Sequence, residues 1–321
     1  MKAIVLSEYG SPDFLELKEV EKPVPKDDEV LIKVHATSIN DWDWGILCGM
    51  PLINRLSCGF LKPKKVKILG SDVAGQVEAV GKDVTRFQPG DKVFGDLSAR
   101  GWGGFAEYDC APENRLIMKP PSMSFEEAAA IPQGAVIALQ GLRKGNIQPR
   151  QKVLINGAGG GAGSFAIQIA KAFGANVTAV DRTEKLDMMR SIGADHVIDF
   201  KQEDFTKSGQ RYDLILDLMG YHSLFDYRRA LNPSGTYVMV GGSTALVNSV
   251  MFLGSILSLF GSKKMKLLIL KQNKDMTDLI SLFKSGKVEP VIDKSYPLSK
   301  TAEAFRYFGE GQQKGKIIIT V

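Results

Sequence analysis

The chain has 321 residues, 44% of them hydrophobic and 24% charged, with 41 basic against 36 acidic side chains and a net charge of +5. That length exceeds one ordinary hydrophobic core and calls for two domains, while the mild, scattered positive charge excludes a nucleic-acid-binding stripe. The three cysteines, Cys48, Cys58 and Cys110, show no C-x-x-C spacing, which excludes a disulfide framework and points to a reducing compartment, the cytoplasm by default.

Met1 opens directly on the strand-like Ala3-Ile4-Val5-Leu6, with no charged n-region, apolar h-region and cleavage site, so no targeting segment is expected. The first third is rich in Val, Gly and Pro, and short runs such as Val30–Val34 and Val73–Val77 read as irregular β structure. Asn40 is either a turn asparagine closing a strand or a polar group at a reaction centre. Asp41 and Asp43 alternate with Trp42 and Trp44, which predicts a solvated pair of carboxylates on one side of a strand or loop. The lysine-rich run Lys62–Lys67 reads as a solvated loop. His35, His196 and His222 read as packed or surface histidines rather than ligands.

From about Ser124 the pattern changes to Ala-rich helix, after which strands over 153–156, 177–180, 214–217 and 236–240 alternate with helices, the signature of a doubly wound parallel sheet. The first of these strands runs into a glycine cluster that opens an apolar helix. Gly157, Gly159, Gly160, Gly161, Ala162 and Gly163 are therefore candidate phosphate-binding residues. A strand-to-helix turn aims unpaired N–H groups and the positive helix end at a pyrophosphate, and residues without side chains let the two approach. Asp181 ends the next strand, where a carboxylate meets an adenosine ribose. Its charge favours NAD, whereas the adjacent Arg182 and Lys185 favour the 2′-phosphate of NADP, so both cofactors stay open. Gly220 and Gly241 end the later strands and are candidates for the nicotinamide ribose site.

The apolar stretch Leu246–Phe260 is shorter than the roughly 20 residues a membrane span needs and is broken by polar residues; it reads as a buried helix, a subunit contact or a lid over an apolar substrate. Helices around 275–284 and 300–307 and a terminal strand over 316–321 complete the chain.

A series of motifs resembles the medium-chain dehydrogenase/reductase superfamily and, within it, the zinc-free quinone oxidoreductase branch. They include Ala36-Thr37-Ser38-Ile39-Asn40, Gly70-Ser71-Asp72-Val73-Ala74-Gly75, Pro89-Gly90-Asp91-Lys92-Val93, Gly104-Phe105-Ala106-Glu107-Tyr108, the glycine turn and Gly315-Lys316. The resemblance implies an α/β protein with a GroES-like β domain over 1–123 and 275–321 and a Rossmann doubly wound parallel-sheet domain over 124–274. Nicotinamide and substrate would lie in the cleft between them. It favours the spacing Gly157, Gly160, Gly163 for the turn, a homodimer formed along the Rossmann edge near Thr236–Gly242, and Trp44 as a possible cleft wall.

Zinc enzymes of this superfamily place a cysteine ligand where this chain has Asn40, and a Gly-His-Glu motif where it has Gly70-Ser71-Asp72. No metal site is expected, and Asn40 becomes the candidate catalytic residue. Without a metal, the acceptor must already be electrophilic, which suits a small apolar carbonyl compound or quinone. The expected activity is NADPH- or NADH-dependent hydride transfer to a quinone or an α,β-unsaturated carbonyl. The alternatives are a zinc-independent alcohol or enoyl reductase and a non-catalytic NADPH-binding protein.

Overall fold

The computed structural model describes residues 1–64, 67–259 and 261–321, without the side chains of Ile53, Asn54, Ser57, Ser255 and Leu259. Lys65 and Val66 of the basic run, and Phe260 at the end of the apolar stretch, lie outside the described residues. The chain forms two compact units, one of Met1–Gln133, Gln272–Lys274 and Ile292–Val321, the other of Gly134–Lys271 and Asp275–Val291. In chain order the first carries β1 (Lys2–Leu6), β2 (Leu15–Glu19), β3 (Glu29–Ser38), β4 (Asp72–Val80), β5 (Lys92–Asp96), β6 (Tyr108–Pro112) and β7 (Ile117–Met118). The second carries β8 (Lys152–Asn156), β9 (Asn176–Asp181), β10 (His196–Asp199), β11 (Tyr212–Asp217), β12 (Leu231–Met239) and β13 (Lys264–Leu267). Finally β14 (Ile292–Pro297) and β15 (Lys316–Thr320) return to the first unit.

In the first unit a seven-stranded sheet runs β14-β15-β3-β4-β5-β7, with β6 also paired to β3. β15 lies antiparallel to β3, Ile318 opposite Ser38, and β3 lies antiparallel to β4, Ser38 opposite Asp72. This register brings residues from the two ends of the sequence to one place. Beneath it Ile39, Leu47, Phe105, Phe305, Ile317 and Ile319 form a fully packed apolar cluster.

The second unit is a six-stranded parallel sheet in the order β10-β9-β8-β11-β12-β13, the doubly wound order with its first strand at the centre. Val153, Leu154 and Ile155 on β8 are fully buried, as expected for a parallel strand covered on both faces. The expected four strands are present, and β10 and β13 extend the sheet. Both are four-residue strands with two apolar residues each, too little patterning to be read from sequence.

The structure differs from expectation at a sheet edge and at the unit boundaries. Thr236–Gly242 is not a sheet edge, because β13 pairs in parallel along it, from Thr236 opposite Lys264 to Met239 opposite Leu267. The units divide after Gln133 rather than at 123, and Asp275–Val291 belongs to the second unit. Polar ties hold it there: Arg143 bonds Asp275 at 3.0 Å and Asp278 at 2.6 Å, and Gln168 donates to the Glu289 carbonyl at 2.8 Å. Trp44, expected as a possible cleft wall, is half-buried. It packs against Phe305 and Phe308, with ring centroids at 6.5 and 6.0 Å.

The stretch after Ser243 forms a helix over Thr244–Ser249, a π-helical turn over Val250–Gly254 and a helix over Ser255–Leu259. Leu246 and Val250 join the core with Met265, while Met251, Phe252 and Ile256 stay exposed. Among the described residues no helix is long and apolar enough to cross a membrane.

Gly309 ends the helix Thr301–Gly309, and a Cβ there would collide with Cη2 of Trp44. Gly309→Ala should therefore destabilise by about 1–3 kcal/mol, as overpacking does, although alanine is the better helix former. Thermal unfolding followed by tryptophan fluorescence checks this, and a raised midpoint would contradict the packing of Trp44.

Candidate active site

The glycine turn joins β8 to the helix Gly161–Ala172, with Gly160 at the N-cap. Gly160 has no side-chain oxygen, so the first-turn N–H groups of Gly161, Ala162 and Gly163 carry no side-chain cap. The preceding amides are committed: those of Gly157 and Ala158 donate to the Val180 carbonyl at 3.0 and 3.1 Å, and that of Gly159 to Asp181 Oδ2 at 2.8 Å. Gly157 adopts φ +83°, and a Cβ on Gly163 would lie 2.6 Å from Ala158 Cα and collide with the Gly157 carbonyl. The cluster thus divides its work. Gly157 and Gly163 permit the tight turn, while Gly161–Gly163 present donors to an anion. This arrangement fits a dinucleotide pyrophosphate.

Asp181 is buried at the end of β9, and its Oδ1 accepts from the Arg182 N–H at 2.8 Å and lies 3.5 Å from the Lys185 ammonium. Lys185 is buried too and lies across Gly159, where a Cβ would sit 2.5 Å from its Cδ. The carboxylate expected to face a ribose is therefore also a clasp on the turn, with its charge balanced by Lys185.

At the ends of β8, β11 and β12 the fully buried Asp217 accepts from Asn156 Nδ2 at 2.8 Å, the Gly220 N–H at 2.9 Å and the Tyr237 hydroxyl at 2.7 Å. Burial and this carboxylate push the Tyr237 phenol up, so it stays a donor. Gly220 takes φ +51°, and a Cβ there would meet the Gly241 carbonyl at 2.5 Å. Gly220 and Gly241 thus let two strand-end turns touch. Asp217 as the organiser of these turns was not legible in sequence, because Tyr237 and Asn156 join it only through sheet order.

In the first unit Asn40 follows β3, and its N–H donates to Asp43 Oδ2 at 3.0 Å, opening the helix Asp41–Cys48. Asp43 Oδ1 accepts from the Gly70 N–H at 3.0 Å, which ties that helix to the approach to β4. Asp43 is therefore no solvated carboxylate: it is fully buried, and burial pushes its carboxyl up to about 7 despite these two N–H donors. Helical geometry separates it from the exposed Asp41, which strand-like alternation had placed on the same side.

The Asn40 amide is held at both ends. Its Nδ2 donates to Ser71 Oγ and to Asp72 Oδ2, each at 3.0 Å, and its Oδ1 accepts from the Lys316 ammonium at 2.5 Å. Ser38 Oγ and the Gln133 N–H also donate to Asp72 Oδ2, at 3.0 and 3.4 Å. Burial raises the Asp72 carboxyl, opposed by Lys316, and lowers the Lys316 ammonium, opposed by Asp72. Both Asn40 amide hydrogens are already engaged, which sequence reasoning could not show. Lys316, 276 positions away, was legible only as a motif residue.

Comparison with known proteins agrees with this architecture. Residues 26–121 match the alcohol dehydrogenase GroES-like domain, 127–217 the alanine dehydrogenase/PNT C-terminal domain and 192–319 the zinc-binding dehydrogenase domain. The chain is 35% identical over 333 residues to a chloroplastic quinone-oxidoreductase homolog of Spinacia oleracea, covering 99% of this chain and 98% of that one. The chain belongs to the medium-chain dehydrogenase/reductase superfamily, in its quinone oxidoreductase branch. It is an oxidoreductase that uses NAD or NADP. An NADPH-dependent alkenal/one oxidoreductase of Arabidopsis thaliana, also chloroplastic, is 30% identical over 334 residues, covering 99% of this chain and 79% of that one. The quinone oxidoreductase structure from Coxiella burnetii superposes with a TM-score of 0.89 at 28% identity, covering 100% of this chain and 99% of the other.

The zinc named in one of these domain descriptions does not fit the residues present. Zinc takes thiolate, imidazole and carboxylate donors. Around Asn40 this chain offers an amide, hydroxyls, the carboxylates of Asp72 and Asp43, and an ammonium that would repel a cation, but no thiolate or imidazole. Among the described residues no group of three or more His, Cys, Asp or Glu side chains is placed to hold a metal.

The Asp181 clasp generates a cofactor prediction. Asp181→Ser removes a carboxylate from the end of β9 and frees Lys185 from its partner, so if Asp181 faces the adenosine ribose the ratio of NADPH to NADH affinity should rise about tenfold. Fluorescence titration of both cofactors against both proteins measures it. An unchanged ratio would leave Asp181 as a clasp on the turn alone.

Proposed function

We propose that this protein is a zinc-independent NAD(P)H-dependent reductase that delivers a hydride to a quinone or an α,β-unsaturated carbonyl. The observation that carries this reading is the closed cluster of Asn40, Ser71, Asp72 and Lys316, which stands where the resemblance puts zinc ligands and already contains its own cation. With no Lewis acid to activate an alcohol or a plain ketone, the acceptor must bring its own electrophilic carbon, as quinones and enones do. The names of the Spinacia and Arabidopsis relatives, one a quinone-oxidoreductase homolog and one an alkenal/one oxidoreductase, support the same two acceptor classes.

Each unit supplies a distinct station. In the second, the N–H groups of Gly161–Gly163 hold the pyrophosphate, Asp181, Arg182 and Lys185 meet the adenosine ribose, and the turns at Gly220 and Gly241 meet the nicotinamide ribose. The bound nicotinamide supplies the hydride. In the first, Asn40 presents an amide of fixed orientation to the acceptor oxygen. Its hydrogens are shared with Ser71 and Asp72, so it offers an oriented dipole and a shared donor. The proton that completes reduction comes from solvent. Cys48, Cys58 and Cys110, none of them in a disulfide, suit a reducing, cytoplasmic setting, and a homodimer would use the outer edge of the sheet at β13 rather than β12.

Oxidation of NADPH and NADH by 1,4-naphthoquinone and by a 2-alkenal, with and without a strong chelator, tests the reading. Turnover with at least one acceptor class, unchanged within about twofold by the chelator, is expected. Loss of turnover on chelation would overturn the zinc-free chemistry, and no oxidation with either acceptor would favour a nucleotide-binding protein without turnover.

A further inference from the structure

Lys316 opens β15 and is 2% exposed, and its ammonium lies 2.5 Å from Asn40 Oδ1, 3.5 Å from the Ile39 carbonyl and 3.6 Å from Asp72 Oδ2. Burying an ammonium is costly, and a methionine would fill the same volume without that cost. A lysine serving only as counter-ion to Asp72 would approach the carboxylate most closely. Here the ammonium is nearer the amide.

From this geometry we propose that Lys316 is a positioning residue for acceptor reduction: it is the resident cation of the cluster, and it orients and polarises the Asn40 amide through which it acts. The inference rests on the role given to Asn40 under the proposed function. An ammonium can only donate and an ionised carboxylate can only accept. With Lys316 at one end of the amide and Asp72 at the other, a single orientation satisfies both; a flip would set NH2 against the ammonium and carbonyl against carboxylate. Asn40, at 6%, is the most exposed member of the group, against 2% for Lys316 and Gln133 and 0% for Ser38, Asp43, Ser71 and Asp72. The orientation therefore fixes which end of the amide faces each partner. A charge-assisted bond at Oδ1 also draws electron density from the amide nitrogen and strengthens its N–H donors.

The test separates positioning from charge balance with Lys316→Met, Asp72→Asn and the two combined. Lys316→Met leaves Asp72 without its cation and Asp72→Asn takes the nearest carboxylate from Lys316, so each single variant should lower the thermal midpoint, and the combination should restore most of it. Turnover of 1,4-naphthoquinone in the double variant should nevertheless stay about 10- to 100-fold below the parent, with the NADPH dissociation constant within about twofold. Turnover restored along with stability would overturn the proposal and leave Lys316 a structural counter-ion. Where the methionine pair fails to fold, Lys316→Gln with Asp72→Asn is read by the same criteria. A second arm does not depend on turnover: in 15N-labelled protein the Asn40 side-chain NH2 resonance, assigned by its loss in Asn40→Asp, should move in Lys316→Gln. An unmoved resonance would also overturn the proposal, whereas a parent inactive towards every acceptor would overturn only the functional reading and leave this arm to decide.

Discussion

The contact between the Lys316 ammonium and the Asn40 amide depends on nearly everything else in the first unit. It joins the last strand of the chain to Asn40, two positions past β3, and it forms only because β15 pairs with β3 and β3 with β4 in a fixed register. A one-residue slip of β15 would turn Lys316 to the opposite face of the sheet and leave Asp72 buried with no cation. The apolar cluster containing Ile317 and Ile319 resists that slip, so core packing sets the electrostatics of the site.

The second unit solves a different problem with similar economy. Its glycine turn is tight and leads into a helix whose first N–H groups carry no side-chain cap. Glycine at 157 and 163 provides the tightness, and Asp181 closes the turn by accepting the Gly159 N–H. Lys185 balances the charge that Asp181 brings into a buried place. Asp217 plays the same part at the neighbouring strand ends, where one carboxylate accepts from strand β8, strand β12 and the turn after β11. Carboxylates thus brace both sets of strand-end turns, with acceptors largely satisfied within the protein.

What could be read from the sequence follows from how local each signal is. The glycine turn and the strand ending at Asp181 lie within one βαβ unit, so spacing alone places them. Asn40, Ser71 and Asp72 were marked as places without zinc ligands, yet their union with Lys316 depends on pairing between strands hundreds of residues apart. Asp43 was misread as solvated because Asp-Trp-Asp-Trp alternates like a strand, whereas the Asn40 N–H bond to Asp43 starts a helix there. β13 escaped notice because Lys-Met-Lys-Leu is too short and too polar to announce a strand, and with it went the true edge of the sheet. Local chemistry was legible and long-range register was not.

The central claim is that a buried ammonium, rather than a metal, is the cation of the Asn40 cluster. Diffraction from crystals grown with zinc, collected on both sides of the zinc absorption edge, tests it most directly. The account predicts no anomalous density among Asn40, Ser71 and Asp72, with Lys316 Nζ within hydrogen-bonding distance of Asn40 Oδ1. A zinc peak bonded to Asp72 with the lysine displaced would contradict it.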